Sequence, residues 1–135
     1  KGRNGKGWVV ALEDGNLQNP EDMSSVTLRN YAVATSGSYR LTKPKPDSNR
    51  SASHLIDPRT GRPIEHSLVA VNAFAPTARD ADAWATALMI LGTEQGMQLA
   101  EKMDMVVRFS VLDGKKVKTI LSTAYDRLYS STISK

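Results

Sequence analysis

Two side chains four residues apart, Asp82 and Thr86, are the pair in this sequence best suited to hold a cation. They stand in Ala75-Pro-Thr-Ala-Arg-Asp-Ala-Asp-Ala-Trp-Ala-Thr-Ala-Leu-Met-Ile-Leu-Gly92. On a helix, residues at i and i+4 lie one above the other on one face. A carboxylate and a hydroxyl are both hard oxygen ligands and suit Mg²⁺, although Mn²⁺ and Ca²⁺ share that preference. An ordinary polar stripe on an alanine-rich helix has the same spacing, so spacing alone leaves both readings open. Asp80 is a weaker candidate. It falls three residues after Thr77, as in a capping box, so the helix start is expected to occupy it.

Two further stretches carry groups of interest. Ala34-Thr-Ser-Gly-Ser-Tyr-Arg40 sets small hydroxyl residues around a glycine. Such a run can offer hydroxyls and backbone N–H groups to phosphate, or simply join a strand to a turn. His54 precedes Leu-Ile-Asp-Pro-Arg-Thr-Gly61. Histidine is the side chain best suited to accept a proton near neutral pH, yet a lone histidine is more often a surface or satisfied core residue. Arg59, in the turn itself, is a candidate phosphate contact or a solvated turn residue. His66 lies in an irregular segment and is assigned no role.

The elements that must position these groups follow from local pattern. Pro76 and Thr77 start a helix, the alanines let another backbone or a ligand come close, and Leu88, Ile90 and Leu91 anchor it in a core. Gly92 ends it, and Glu94 to Met103 forms a second short helix. Gly7 to Glu13 is mostly apolar and reads as a strand buried on both faces. Asp14 and Gly15 begin a turn and Asn16 to Asp22 is loop. Ser25 to Asn30 and Tyr31 to Ser36 are extended, and Gly37 stops the second run. Leu41 to Ser51 has the composition of an exposed, mobile loop. Asp57-Pro-Arg-Thr-Gly61 is a tight turn, with Pro58 at its first central place and Gly61 free to take positive φ. Ser67 to Ala75 is a strand leading into the helix. Met105 to Leu112 and Lys116 to Leu121 form a hairpin through Asp113-Gly114. Ser122 to Ser130 makes a terminal helical turn, with Tyr125 and Leu128 covering the sheet. The order implies an α+β domain, 1–135, with helices on one face of a largely antiparallel sheet.

Composition narrows the classes. The 135 residues suffice for one domain with a sizeable core. A hydrophobic fraction of 40% is ordinary for a globular protein, and no run approaches a membrane span. There is no cysteine, so disulfides and thiolate metal sites are excluded. The net charge of +4 is compatible with a phosphorylated ligand. The basic residues are scattered and aromatics are only 6%, which argues against nucleic-acid binding.

Three segments together resemble the ApbE family of flavin transferases: Ala34 to Tyr39, His54-Leu-Ile-Asp-Pro-Arg-Thr-Gly-Arg-Pro63, and Ala75 to Leu88. Either His-x-Ile-Asp-Pro or Ala-Asp-Ala-x-x-Thr alone is a weak signal; the pair is fairly specific. The likeness runs from Gly7 to Tyr129 and corresponds to the C-terminal half of the family. It departs at Ser38, where many relatives carry Asp. The resemblance implies Mg²⁺-dependent transfer of FMN from FAD to a Thr or Ser hydroxyl of a target protein, such as a subunit of the sodium-pumping NADH:quinone reductase. It implies Mg²⁺ on Asp82 and Thr86, His54 as the base, and FAD contacts from Thr35, Ser36, Gly37, His54 and Arg59. It also implies a periplasmic, lipoprotein-anchored setting. The family's N-terminal half, absent from these residues, or a second copy of the chain is expected to complete the site. Two rival readings stand beside this one: an FAD pyrophosphatase releasing FMN and AMP, and a flavin-binding fragment without turnover.

Overall fold

The computed structural model describes residues 5–13, 24–37, 43–45 and 48–129. Its centre is an antiparallel four-stranded sheet in the order β10-β9-β8-β3, formed by Lys116–Leu121, Val106–Asp113, Leu68–Ala75 and Ala32–Gly37. β8 is central and buried along nearly its whole length, which is why its sequence reads as a continuous apolar run. A register shift between Leu68 and Ala70 re-aims its first residues.

Helix α1, Ala78–Lys102, covers one face. Its small residues Ala81 and Ala85 are fully buried, so the helix lies close to the sheet, and Leu88 and Met89 fill the core with Val71, Ala73, Val107 and Phe109. The second half comes closer still: a Cβ added at Gly96 would sit 3.2 Å from the Phe109 ring. Thr77 caps the first turn in extended conformation, its hydroxyl accepting from the Asp80 N–H at 3.1 Å. Secondary structure runs unbroken through residue 102, but Gly92 itself is non-helical at φ 80°, ψ −177°. The two short helices read from the sequence are thus two halves of one kinked element, with the break at the glycine that the sequence marks. At the far end Asp104 takes positive φ (52°), and its N–H and that of Met105 close onto the carbonyls of Glu101 and Ala100.

The other sheet face is covered by different elements. The antiparallel pair β1 (Trp8–Ala11) and β2 (Ser25–Leu28) joins α2 (Thr123–Tyr129) there, around Leu12, Val26, Leu28, Phe74, Val106 and Tyr125. The α+β class and antiparallel sheet are as read, while the two helices divide between opposite faces. Ser122 ties α2 down: its hydroxyl donates to the Met105 carbonyl and accepts from the Val107 and Tyr125 N–H groups. Tyr125 covers the sheet edge-on to Phe74, as expected. Leu128 is exposed, and Tyr129 takes the second place beside Phe74.

Two expectations are corrected. β1 is not buried on both faces: Val9 is 74% exposed on the side away from the core that Val10 meets, and Trp8, on Val10's side at the start of the strand, is 61% exposed. An apolar run shows that a strand wants cover, not which chain provides it. Within Leu41 to Ser51, Lys43–Lys45 (β4) pairs antiparallel with Ser48–Ala52 (β5). A proline is compatible with such a strand when it lies at an edge. The Asp14-Gly15 turn, the Asn16 to Asp22 loop and Ser38 lie outside the described residues. The remaining pair, β6 (Ile56–Asp57) and β7 (Arg62–Pro63), is the hairpin expected after His54, with Gly61 at φ 66°.

Candidate active site

Ser36 and Thr86 are 50 residues apart in sequence, and their hydroxyl oxygens lie 3.1 Å apart. Strand β3 supplies the first and the third turn of α1 the other, so the sheet–helix packing itself makes the contact. Asp82 stands one turn before Thr86 on the same helix face. It is exposed and, among the described residues, makes no hydrogen bond or ion pair. Asp80 differs. The Thr77 hydroxyl and then Arg79 hold its carboxyl below the usual carboxylate range, and Arg79 pairs with it at 3.2 Å. The helix start occupies Asp80 as the capping pattern indicates, leaving Asp82 as the uncommitted carboxylate of this helix face.

The neighbours of Ser36 are placed differently. Successive strand residues face opposite sides of a sheet. Ser36 therefore faces α1, whereas Thr35 faces away and accepts a 2.8 Å hydrogen bond from the Asn72 side chain. Gly37 stands opposite Ala70 in the ladder. Asn72 is fully buried. It also donates to the Glu13 carbonyl at 3.3 Å and accepts from the buried Arg108 guanidinium at 3.1 Å. Arg108 donates in addition to Ser110 and Thr119. This polar row crosses β3, β8, β9 and β10 and pins the strand that carries Ser36. Sequence reading missed it, although Arg108 within Val-Val-Arg-Phe and Asn72 within Val-Asn-Ala were visible exceptions in apolar strands.

His54 is exposed, just ahead of the β6–β7 hairpin, and no hydrogen bond holds its ring among the described residues. Its flanking chain is anchored: Leu55 and Ile64 pack on the core and bond to each other at 3.1 Å. Arg59 is committed within the turn. Its guanidinium donates to the Asp57 carboxylate at 2.7 Å and reaches Gln95 of α1 at 3.1 Å. Those side-chain bonds, then the backbone bond from Arg59, hold the Asp57 carboxyl below its usual range. Arg59 thus fastens the hairpin to the second half of α1. A cleft of about 540 Å³ between the hairpin and the end of the first half of α1 is lined by Arg59, His66, Ile90 and Leu91, among others, and not by His54, Asp82 or Thr86. His66, given no role from the sequence, donates from Nε2 to the Met89 carbonyl at 2.8 Å. That carbonyl lies three residues before the non-helical Gly92.

Among the described residues no cluster of three or more His, Cys, Asp or Glu side chains could hold a metal. What α1 and β3 offer is one free carboxylate and two hydroxyls. These hard oxygen donors fit Mg²⁺ in kind, with water, phosphate or a further chain supplying the remaining ligands.

The model described as the ApbE family matches residues 1–109. The chain belongs to the ApbE family. It is 39% identical over 127 residues to a protein of Escherichia coli K12 named FAD:protein FMN transferase, covering 93% of this chain and 36% of that protein. A Haemophilus influenzae protein of the same name is 33% identical over 131 residues, covering 95% of this chain and 37% of that one. The crystal structure of Pseudomonas stutzeri flavinyl transferase ApbE, in apo form, superposes with a TM-score of 0.77 at 36% identity, covering 91% of this chain and 37% of that one. The chain therefore spans little more than a third of the length of these relatives.

Proposed function

We propose that these residues form the part of an FAD:protein FMN transferase that carries a divalent-cation site and the proton-accepting histidine. The contact between Ser36 and Thr86 is the observation that carries this reading. It joins the hydroxyl run of β3 to the Asp82–Thr86 face of α1, in a chain whose family relatives bear that name.

In the proposed reaction a Thr or Ser hydroxyl of an acceptor protein attacks the FMN-side phosphorus of FAD. A new P–O bond forms to the acceptor oxygen, and the bond from that phosphorus to the bridging oxygen breaks. AMP leaves with the bridging oxygen, and a nitrogen of His54 takes the hydroxyl proton. Asp82 and Thr86 would hold Mg²⁺, which when bound neutralises phosphate charge. Ser36 lies beside Thr86 and orients its hydroxyl. Arg59 is given no step, since Asp57 and Gln95 already engage it. A periplasmic, membrane-anchored setting and a respiratory acceptor such as a sodium-pumping NADH:quinone reductase subunit belong to the same proposal.

The test uses a chimera in which this chain replaces the matched segment of the Escherichia coli relative. Incubated with FAD, Mg²⁺ and a Thr-containing acceptor peptide, it is expected to add FMN to the peptide and release one AMP per FMN transferred. Free FMN and AMP beside unmodified peptide would mean that water is the acceptor and would overturn the transferase reading.

A further inference from the structure

We infer that Gln95 and Arg59 are positioning residues for FMN transfer: together they brace the hairpin that follows His54 against α1, the helix that carries Asp82 and Thr86. The inference rests on the transferase reading, which takes His54 as the base. The need for a brace shows in the chain around His54. Its ring makes no hydrogen bond among the described residues, so its place is set by the backbone on either side. β6 and β7 are two residues each and pair, among the described residues, only with one another. A hairpin of that size is marginal on its own and does not hold a side chain to the tolerance that proton transfer needs.

Two contacts supply the hold, one on each side of the break in α1. His66, just past β7, donates to the carbonyl of Met89, three residues before Gly92. Arg59, in the turn, donates from Nη1 to the side-chain oxygen of Gln95, three residues after Gly92, at 3.1 Å. Arg59 is itself fixed. Its Nε and Nη2 meet the Asp57 carboxylate at 3.0 and 2.7 Å, and its backbone N–H donates to the same group at 2.9 Å. The guanidinium is thus a rigid extension of the turn, with Nη1 left to reach the helix. Exposed contacts of this kind add little to global stability. On an element as small as this hairpin they decide orientation instead, and here they tie the base and the cation-binding face to one helix. Without Gln95 the turn loses this hold on the second half of α1.

The chimera with the Escherichia coli relative, supplied with FAD, Mg²⁺ and the Thr-containing acceptor peptide, provides the test. Arg59→Ala would also free Asp57 and loosen the turn, so Gln95 is the residue to change. Gln95→Ala is expected to lower kcat for FMN transfer about tenfold or more, since a misplacement near 1 Å can cost about a hundredfold. KM for FAD, the Mg²⁺ dependence and Tm are expected to stay unchanged. Gln95→Glu keeps the accepting oxygen and is expected to recover the rate. In a His54→Ala background, Gln95→Ala is expected to change kcat no further, because the group it positions is gone. A parent-like kcat in Gln95→Ala would overturn the proposal. So would an equal fold loss with and without His54, which would show that Gln95 acts through α1 rather than through the base. Product identity keeps the two readings apart. Free FMN beside unmodified peptide overturns the transferase reading, while the His54–Gln95 cycle, measured on FMN release, still decides the role of Gln95.

Discussion

Replacing Gly92 by alanine tests the kink in α1 through the sign of its effect. In a continuous helix, Gly→Ala stabilises by about 1 kcal/mol. At Gly92 the backbone lies at φ 80°, ψ −177°, a region open essentially to glycine alone, where another residue costs about 1–3 kcal/mol. The added Cβ would also stand 3.1 Å from His66 Cδ2, and that ring is tethered through Nε2 to the Met89 carbonyl. Unfolding entropy near 2.1 cal/mol/K per residue converts this cost to a fall in Tm of roughly 4–10 °C for a chain of this length. Thermal unfolding followed by circular dichroism reads it directly. Adding His66→Ala separates the two contributions, since it removes the ring but leaves the backbone strain. A Tm that is unchanged or raised in Gly92→Ala would refute the kinked geometry and with it the role given to His66.

Three further outcomes follow from the same geometry. Asn72→Val removes an acceptor from the buried Arg108 and the donor to Thr35, and is expected to cost about 2–3 kcal/mol in urea denaturation; a neutral change would show that the polar row does not hold β3. Burial, followed by the nearby Tyr125 and Tyr31, pushes the Tyr129 phenol up to about 12. Its protonated form is thus favoured by folding, so this stabilisation is complete below pH 10 and lost as pH rises from about 10 to 12; ultraviolet titration should show a late tyrosine. In the chimera, His54→Ala is expected to lower kcat for FMN transfer by about 10²–10⁴ with KM for FAD nearly unchanged; a raised KM with normal kcat would make His54 a binding residue instead.

The frame was legible wherever one local rule sufficed. Thr77 three residues before Asp80 announced the start of α1, Gly92 its break, and Asp113-Gly114 the β9–β10 hairpin. The contact of Ser36 with Thr86 was not read: the family resemblance put both residues in one site, but their contact depends on β3 packing beneath α1. The alternation rule would have separated Thr35 from Ser36 had the strand boundaries been certain, since neighbouring residues on a strand cannot share a face. Long-range partners were beyond reach. Nothing around His66 announces the Met89 carbonyl 23 residues away, and nothing around Arg59 announces Gln95. The exposure of Trp8 and Val9 could not be read either, because an apolar run does not say which of a strand's faces meets the core.

Asp82, free on the α1 face beside Thr86, is the residue proposed to make FMN transfer depend on a divalent cation. The most direct test is the Mg²⁺ dependence of peptide flavinylation by the chimera, compared between Asp82 and Asp82→Ala. Asp82 is exposed and alanine suits a helix, so the variant should keep its fold and Tm. Asp82→Ala is expected to form no FMN-peptide at Mg²⁺ concentrations that saturate the parent. Transfer at the parent rate, with the parent's Mg²⁺ dependence, would contradict it.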